Sequence, residues 1–265
     1  MHTWQWRSWE GLPYLTCSLL EPWSHGFFTQ HFSPRQPAEL TKVLHPEAET
    51  YRLKQVHGNR VLSPSEIVEL VARSSTDKNG EENTVFAEAD GLISESSAQA
   101  VWVATADCTP VLIADVKTGQ VSAIHAGWRG TAQKIVPQAI ARLQARGSKL
   151  DDLRIAMGPA ISGKVYQVST QVAAEVGASI LSDDDEEIIV NALQELPNSP
   201  LSPDPEPGRV RLDVRRVNAL QLEKMGITTE QVAIAPHCTY LEPEQFFSYR
   251  RDNLKKVQWS GIVSG

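Results

Sequence analysis

Cysteine is scarce in this sequence. The 265 residues include only Cys17, Cys108 and Cys238, and no two of them form a C-x-x-C pair. An odd number of isolated cysteines argues against a disulfide framework and against a zinc ribbon, because both need paired cysteines. We therefore expect free thiols in a reducing compartment.

Long apolar runs are also missing. The apolar stretches are short and broken by polar residues, far below the roughly 20 residues that cross a bilayer. The N-terminus, MHTWQWRSWEGLPY, is rich in Trp and lacks the basic-then-apolar order of a signal peptide. We expect a cytoplasmic protein with no membrane contact.

Positive charge is in deficit. Lys and Arg number 25 against 32 Asp and Glu, which gives a net charge of −7, and no basic block offsets it. This excludes an extended footprint for nucleic acid but allows one basic pocket for a small anion. The acidic run at 183–187 is expected to be a solvated loop.

The apolar pattern predicts both strands and helices. Strands are predicted at 100–107, 109–116, 121–127, 153–161, 232–240 and 255–263. Helices are predicted at 131–147, 172–176 and 213–225, and Pro137 should kink the first helix or mark its late start. Residues 1–46 should form short strands and loops in an irregular segment, 74–83 an exposed loop, and 182–208 a polar, Pro-rich excursion. The chain is predicted to be one α+β domain, 1–265, with mixed sheets.

Three separate segments carry residues suited to chemistry. His57 stands before Gly58 in KQVHGNRV, and Cys108 interrupts an apolar run in ATADCTPVLIAD. His125 opens HAGWRG at a strand-to-helix junction, where Arg129 and the start of the helix could hold an anion. Taken singly, each segment also fits a turn histidine, a buried cysteine or a tight turn.

Two imidazoles and one thiolate form a suitable ligand set for one catalytic zinc with an open fourth position. Copper is also expected to bind such a set in vitro. Because His57, Cys108 and His125 come from separate segments, their spacing alone does not show that they converge.

Six ordered motifs resemble those of one family. They are KQVHGNRV, ADGLIS, TADCTPVLIAD, HAGWRGT, GPAIS and the closing CTY…FFSYRRD. They resemble the YfiH/YlmD family of laccase-domain proteins, also labelled multicopper polyphenol oxidases. The resemblance runs from about His25 to the C-terminus.

The resemblance implies that His57, Cys108 and His125 bind one zinc ion. It implies a layered α/β/β/α sandwich of mixed sheets. It also implies purine nucleoside chemistry, namely phosphorolysis of adenosine, inosine, guanosine and methylthioadenosine, plus deamination of adenosine. One departure concerns phosphate: Gln30 stands where the family has an arginine, and Arg35 is the nearest replacement.

Further site residues follow from the same motifs. Arg129 and Arg250 are expected to hold an anion, and Gln55 and Asp90 to contact substrate. Neither ligand histidine is followed by the H-x-E glutamate of zinc deaminases, so Asp107 or Asp90 is expected to move the proton. The expected partners are a nucleoside and phosphate, and the expected assembly is a monomer or a small homo-oligomer.

Other functions use the same residues. A multicopper oxidase needs many histidines, commonly as H-x-H, whereas this chain has seven and no such pair. A metal-free cysteine hydrolase or deamidase would use Cys108 as the nucleophile and a histidine as the base. A third alternative is a non-enzymatic accessory protein. His237 and Cys238 are adjacent and point to opposite faces of a strand, so Cys238 is expected to be a core residue.

Overall fold

The computed structural model describes residues 2–75, 86–181, 183 and 185–265. Strands and helices are numbered along this part of the chain. The strands are β1 (Trp4–Trp9), β2 (Leu12–Cys17), β3 (His25–Phe28), β4 (Glu49–Tyr51), β5 (Val61–Leu62), β6 (Gly91–Ile93), β7 (Gln99–Thr105), β8 (Thr109–Asp115), β9 (Val121–Ala126), β10 (Leu153–Met157), β11 (Gln167–Ser169), β12 (Leu201–Pro203), β13 (Arg209–Leu212), β14 (Val232–Ile234) and β15 (Gln258–Val263). The helices are α1 (Pro37–Leu44), α2 (Pro64–Ser75), α3 (Trp128–Ala132), α4 (Ile135–Ala145), α5 (Thr170–Gly177), α6 (Glu186–Glu195), α7 (Val214–Lys224) and α8 (Tyr249–Asp252). Not one of these described helices has the length and apolarity to cross a membrane.

Two six-stranded sheets form the centre of the fold. The first has the order β1-β2-β3-β15-β7-β4, and its β4–β7 pair is parallel while its other pairs are antiparallel. The second has the order β14-β10-β8-β9-β6-β5, with parallel pairs at both ends. A three-stranded sheet, β11-β13-β12, packs against α5 and α6. The predicted α+β class with mixed sheets is confirmed.

The two large sheets pack face to face. Their shared core includes Val101 and Val103 from β7 and Leu112 from β8. Trp102, on the opposite face of β7, packs against α1, while α4 and α7 cover the outer face of the second sheet. The layers therefore follow the order α/β/β/α. All seven residues of β8 are buried, as expected for a strand covered on both faces.

Pro137 marks a late helix start rather than a kink. Helix α4 begins at Ile135, so Pro137 occupies its first turn, where the missing N–H has no intrahelical partner to lose. Lys134 adopts φ 60° and separates α4 from α3. The helix ends at Ala145, and Gly147 follows with φ 101°, in the left-handed conformation typical of a helix end.

Two segments are more regular than the sequence indicated. Residues 1–46 contain α1 as well as three strands. In the acidic run, the Asp185 carboxylate accepts hydrogen bonds from the backbone N–H groups of Glu187 and Ile188 and caps α6. Glu186 and Glu187 lie in its first turn, where negative charge stabilises a helix. The expectation of a solvated loop is therefore wrong for residues 185–187, and the 182–208 excursion contains α6 and β12.

Three predicted strands are shorter than expected. The strand expected at 153–161 ends at Met157, the one at 232–240 ends at Ile234, and the one at 255–263 begins at Gln258. The residues just outside these strands leave the sheets as loops, and two of these loops reach the functional site described below. Most of the loop predicted at 74–83 lies outside the described residues.

Candidate metal centre and its cavity

The structure brings His57, Cys108 and His125 together. His57 lies in the loop before β5, Cys108 in the turn between β7 and β8, and His125 at the end of β9. Strands β8 and β9 are antiparallel neighbours with Pro110 opposite His125, which places the Cys108 turn beside the end of β9. One potential ligand atom from each of the three side chains lies within 4.8 Å of the other two. The prediction that three distant segments converge is met in the described structure.

Asp90 holds two of the three segments in place. Its fully buried carboxylate accepts hydrogen bonds from the backbone N–H groups of Val56, His57 and Gly58 at 2.8–3.2 Å. The same carboxylate contacts His125 Nδ1 at 2.8 Å. This contact leaves Nε2 of His125 available to a metal ion, an arrangement common around metal-binding histidines. Asp90 does not line the cavity described below, and its carboxylate is engaged by these four groups. A substrate contact or a proton-transfer role for Asp90 stays a prediction.

The turns that carry the ligands are conformationally constrained. His57 adopts φ 60° and Asp107, next to Cys108, adopts φ 87°, both in the left-handed region that costs a non-glycine residue free energy. Gly127 follows the last residue of β9, and a Cβ atom there would lie 2.7 Å from Cys108 Sγ. A glycine is therefore required for Cys108 to approach this strand end.

The ligand side chains shift one another's pKa. Burial raises the pKa of the Cys108 thiol, but the neighbouring His125 and His57 outweigh burial and lower it to about 6. Burial lowers the pKa of His125, but Cys108 and Asp90 outweigh burial and raise it to about 9. In the metal-free protein we expect a thiolate–imidazolium pair at neutral pH, and the thiolate is the form that binds metal ions.

A cavity of about 620 Å³ opens above the three ligands. Its size falls within the roughly 300–1,000 Å³ typical of small-molecule sites. Aromatic side chains line it, and so do four cations. The aromatic residues are Trp128, Tyr166, Tyr249 and Trp259, and the cations are Arg129, Arg250, Lys255 and Lys256. A flat, apolar ligand with an anionic partner would suit such a lining.

The predicted anion-binding residues do line this cavity. Arg250 donates a hydrogen bond to the Gln167 carbonyl at 2.8 Å, and its guanidinium lies 4.7 Å from the centre of the Tyr166 ring. Arg129 is exposed and stacks on Trp128 at 4.3 Å. Helix α3 has only five residues. Anion binding by Arg129 and the start of this helix stays a prediction.

Two other predicted residues line the cavity with their polar atoms already engaged. The Gln55 amide bonds both the N–H and the carbonyl of Ala104 at 2.7 Å. The Asp107 carboxylate accepts hydrogen bonds from the Thr239 hydroxyl and from the backbone N–H of Arg250, both at 2.7 Å. Gln55 thus anchors the His57 loop, and Asp107 anchors α8. A substrate contact for Gln55 and a proton-transfer role for Asp107 stay predictions.

Gln30 and Arg35 lie outside this cavity. The Gln30 side chain donates a hydrogen bond to the Pro243 carbonyl at 2.6 Å, and Arg35 pairs with Glu10 at 2.7 Å. Arg35 therefore does not replace the missing arginine at the metal centre.

Sequence reasoning missed several residues of the cavity. Tyr166 and the Lys255–Lys256 pair were assigned no function. The GPAIS motif ends four residues before Tyr166 and gave the only available signal for it. The two lysines fall in a segment that had been predicted as strand.

A cysteine and two histidines that could hold a metal ion lie at the floor of a cavity on an α/β/β/α sandwich. Residues 35–262 match the family model for the multi-copper polyphenol oxidoreductase laccase. The chain belongs to this family, and the resemblance to YfiH/YlmD proteins is confirmed.

Three similar proteins illustrate the family. A purine nucleoside phosphorylase of Synechocystis sp. is 51% identical over 265 residues, which cover 98% of this chain and 97% of the relative. Adenosine deaminase RL5, from an unknown prokaryotic organism, is 28% identical over 171 residues, 64% of this chain and 60% of the relative. The crystal structure of YlmD from Geobacillus stearothermophilus shares the fold, with a TM-score of 0.76, 23% identity and coverage of 97% of this chain and 98% of that one. The chain is an enzyme.

Proposed function

We propose that this enzyme is a zinc-dependent purine nucleoside phosphorylase that acts on adenosine, inosine, guanosine and methylthioadenosine. The observation that carries the proposal is the position of His57, Cys108 and His125 at the floor of a cavity with aromatic and cationic walls. The 51% identity to a purine nucleoside phosphorylase over almost the whole chain supports the same activity.

The residues present fit a zinc ion. Zinc bonds of about 2.0–2.3 Å to nitrogen and sulfur in tetrahedral geometry place ligand atoms about 3.5 Å apart. The three ligand atoms, within 4.8 Å of one another, need only a small closing movement to reach this spacing. The thiolate form of Cys108 and the Asp90 contact to His125 both favour metal binding. Bound zinc would supply a Lewis acid that polarises an oxygen atom of phosphate or substrate.

The chain's own residues provide binding and orientation. Trp128 and Tyr166 offer flat surfaces on which a purine can stack. Arg129 and Arg250 line the same cavity and can hold phosphate by charge-assisted hydrogen bonds. Because these two arginines line the cavity, phosphate binding does not require an arginine at Gln30.

Deamination of adenosine is proposed as a second activity of the same site. One relative is named an adenosine deaminase, which supports it. Asp107 is the acidic side chain that lines the cavity among the described residues, and it is 8% exposed. It is therefore the proposed proton-transfer residue, although proton transfer would require it to give up one of its two hydrogen bonds.

A nucleoside panel, assayed with and without phosphate on the zinc-loaded enzyme, tests the proposal. Release of free base only when phosphate is present is the expected result, and inosine formed from adenosine would show the second activity. If no nucleoside is converted under any condition, the proposed function is wrong. Arg250→Gln is expected to raise the KM for phosphate, and exposed Lys149→Gln serves as the matched control.

A second candidate function rests on the Cys108–His125 pair. The lowered pKa of Cys108 and the raised pKa of His125 describe an activated thiolate, as a metal-free cysteine hydrolase or deamidase needs. The two candidates differ in their response to metal removal. Activity that survives a strong chelator and is lost in Cys108→Ala would favour the cysteine enzyme.

A further inference from the structure

A second cavity shares part of its lining with the metal cavity. It has a volume of about 200 Å³, and Lys255, Lys256, Val257 and Trp259 line both cavities. Arg35 also lines it, so we call it the Arg35 groove. The two cavities are therefore immediate neighbours.

The Arg35 groove is cationic in an acidic protein. Arg35, Lys255 and Lys256 line it, and no acidic side chain of the described residues does so. The whole chain carries a net charge of −7, so a cavity with three cations and no lining carboxylate departs from the general surface. Such a local field attracts anions.

Arg35 is held rigidly, and one of its nitrogens has no partner. Its Nη2 atom pairs with Glu10 at 2.7 Å, and its guanidinium stacks over the Trp9 ring at 5.0 Å. Its Nη1 atom is buried and makes no hydrogen bond with any of the described residues. A buried donor without an acceptor is unfavourable, so an incoming anion would gain by pairing with it.

We infer that the Arg35 groove binds the phosphate group of a nucleoside 5′-phosphate whose nucleoside occupies the metal cavity. This inference rests on the proposed function, because it assumes that a nucleoside lies above His57, Cys108 and His125. The metal cavity has its own cations, Arg129 and Arg250, for the phosphate that takes part in phosphorolysis. A planar guanidinium pairs with phosphate oxygens in a defined geometry, which gives the groove its preference for phosphate esters.

Binding to the zinc-loaded full chain by calorimetry tests the inference at low salt. The two probes are adenosine and adenosine 5′-monophosphate. The wild type is expected to bind the monophosphate roughly tenfold more tightly than adenosine, the contribution of one charge-assisted hydrogen bond. Arg35→Gln should abolish this preference and leave adenosine affinity unchanged, Arg35→Lys should retain part of it, and Lys149→Gln should retain all of it.

The outcomes separate the groove from the proposed function. Equal affinities for the two probes in the wild type, or a preference that survives in Arg35→Gln, would overturn the inference even if adenosine phosphorolysis is observed. A preference lost in Arg35→Gln supports the groove even if no phosphorolysis is detected. Inorganic phosphate added as a competitor identifies the source: removal of the preference at millimolar phosphate, with no loss of adenosine binding, shows that the groove also accepts the free anion.

Discussion

Replacing Asp90 by Asn should weaken metal binding and stability together. The substitution keeps the size of the side chain and removes its charge. In the structure the carboxylate oxygens face Val56 N, His57 N, Gly58 N and His125 Nδ1, and all four are potential donors. An amide can present only one oxygen to these groups, so its NH₂ must face donors that then lack an acceptor.

The loss of stability in Asp90→Asn follows from the hydrogen bonds that the amide cannot make. If the amide oxygen keeps the contacts to His57 and His125, the hydrogen bonds to Val56 and Gly58 are lost. Two hydrogen bonds to a buried charge are worth about 3–5 kcal/mol together. Burial raises the pKa of Asp90, but His125 and the backbone donors outweigh it and lower the pKa. The stabilisation is therefore present above the ordinary carboxyl pKa and lost as the pH falls through the lowered one.

Metal affinity should fall as well, because the histidine and the His57 loop lose their orientation. Loss of such a supporting carboxylate lowers metal affinity about 10- to 100-fold. The assay is competition for zinc against a chromophoric chelator, combined with urea unfolding. Asp115→Asn is the matched control, since Asp115 is equally buried and caps the Lys117 and Thr118 N–H groups far from the ligands.

Comparison of Asp90→Asn with Asp115→Asn separates a specific effect on zinc binding from general destabilisation. Asp90→Asn should lose both stability and zinc affinity. Asp115→Asn should keep its zinc affinity, and its amide oxygen can still accept both hydrogen bonds of Asp115. Wild-type zinc affinity in Asp90→Asn would refute the assignment of Asp90 to the support of the metal centre. A loss of affinity of equal size in Asp115→Asn would refute it too, because the effect would then follow from general destabilisation.

Three further predictions concern other residues. Gly127→Ala should lower the melting temperature by the equivalent of about 1–3 kcal/mol and abolish zinc binding, because the added Cβ would lie 2.7 Å from Cys108 Sγ; retained stoichiometric zinc would contradict this. In metal-free protein, the rate of Cys108 alkylation by iodoacetamide should rise with pH and have its midpoint near pH 6, because His125 is the main group that lowers the pKa of Cys108 to about 6. In His125→Gln this midpoint should shift to higher pH. An unchanged pH profile in the variant would show that His125 is not the cause. Burial raises the pKa of Glu95, but hydrogen bonds from Ser65 and Arg146 outweigh burial and lower it to about 2. Glu95→Gln should therefore lower the free energy of unfolding by about 2 kcal/mol at pH 7 and by little below pH 2. Urea unfolding at both pH values measures this difference.

The local pattern of the sequence predicted much of the central fold. Strands β7, β8 and β9 are runs of buried apolar residues, so their bounds were found to within one or two positions. Helix α6 was missed because acidic residues and nearby prolines resemble a loop. The acidic residues stabilise this helix because Asp185 is its N-cap, which places Glu186 and Glu187 in the first turn.

The site was predicted less completely. Cys108 was noticed because polar residues interrupt an apolar run, and the family motifs linked it to His57 and His125. Convergence of the three depends on the pairing of β8 with β9 and on the His57 loop, which are long-range contacts that periodicity does not encode. The contacts of Asp90 with His125 and the His57 loop were not predicted, because a motif does not show which groups a carboxylate faces. Tyr166 was missed because its loop has no periodic pattern.

Metal content and turnover, measured on the same samples of wild type, Cys108→Ala and Cys17→Ala, test whether Cys108 is needed both for zinc binding and for activity. Cys17 is a buried cysteine distant from the site and provides the matched control. We expect about one zinc per chain and phosphate-dependent release of purine base in wild type and Cys17→Ala, and the loss of both in Cys108→Ala. Full zinc content or undiminished turnover in Cys108→Ala would contradict it.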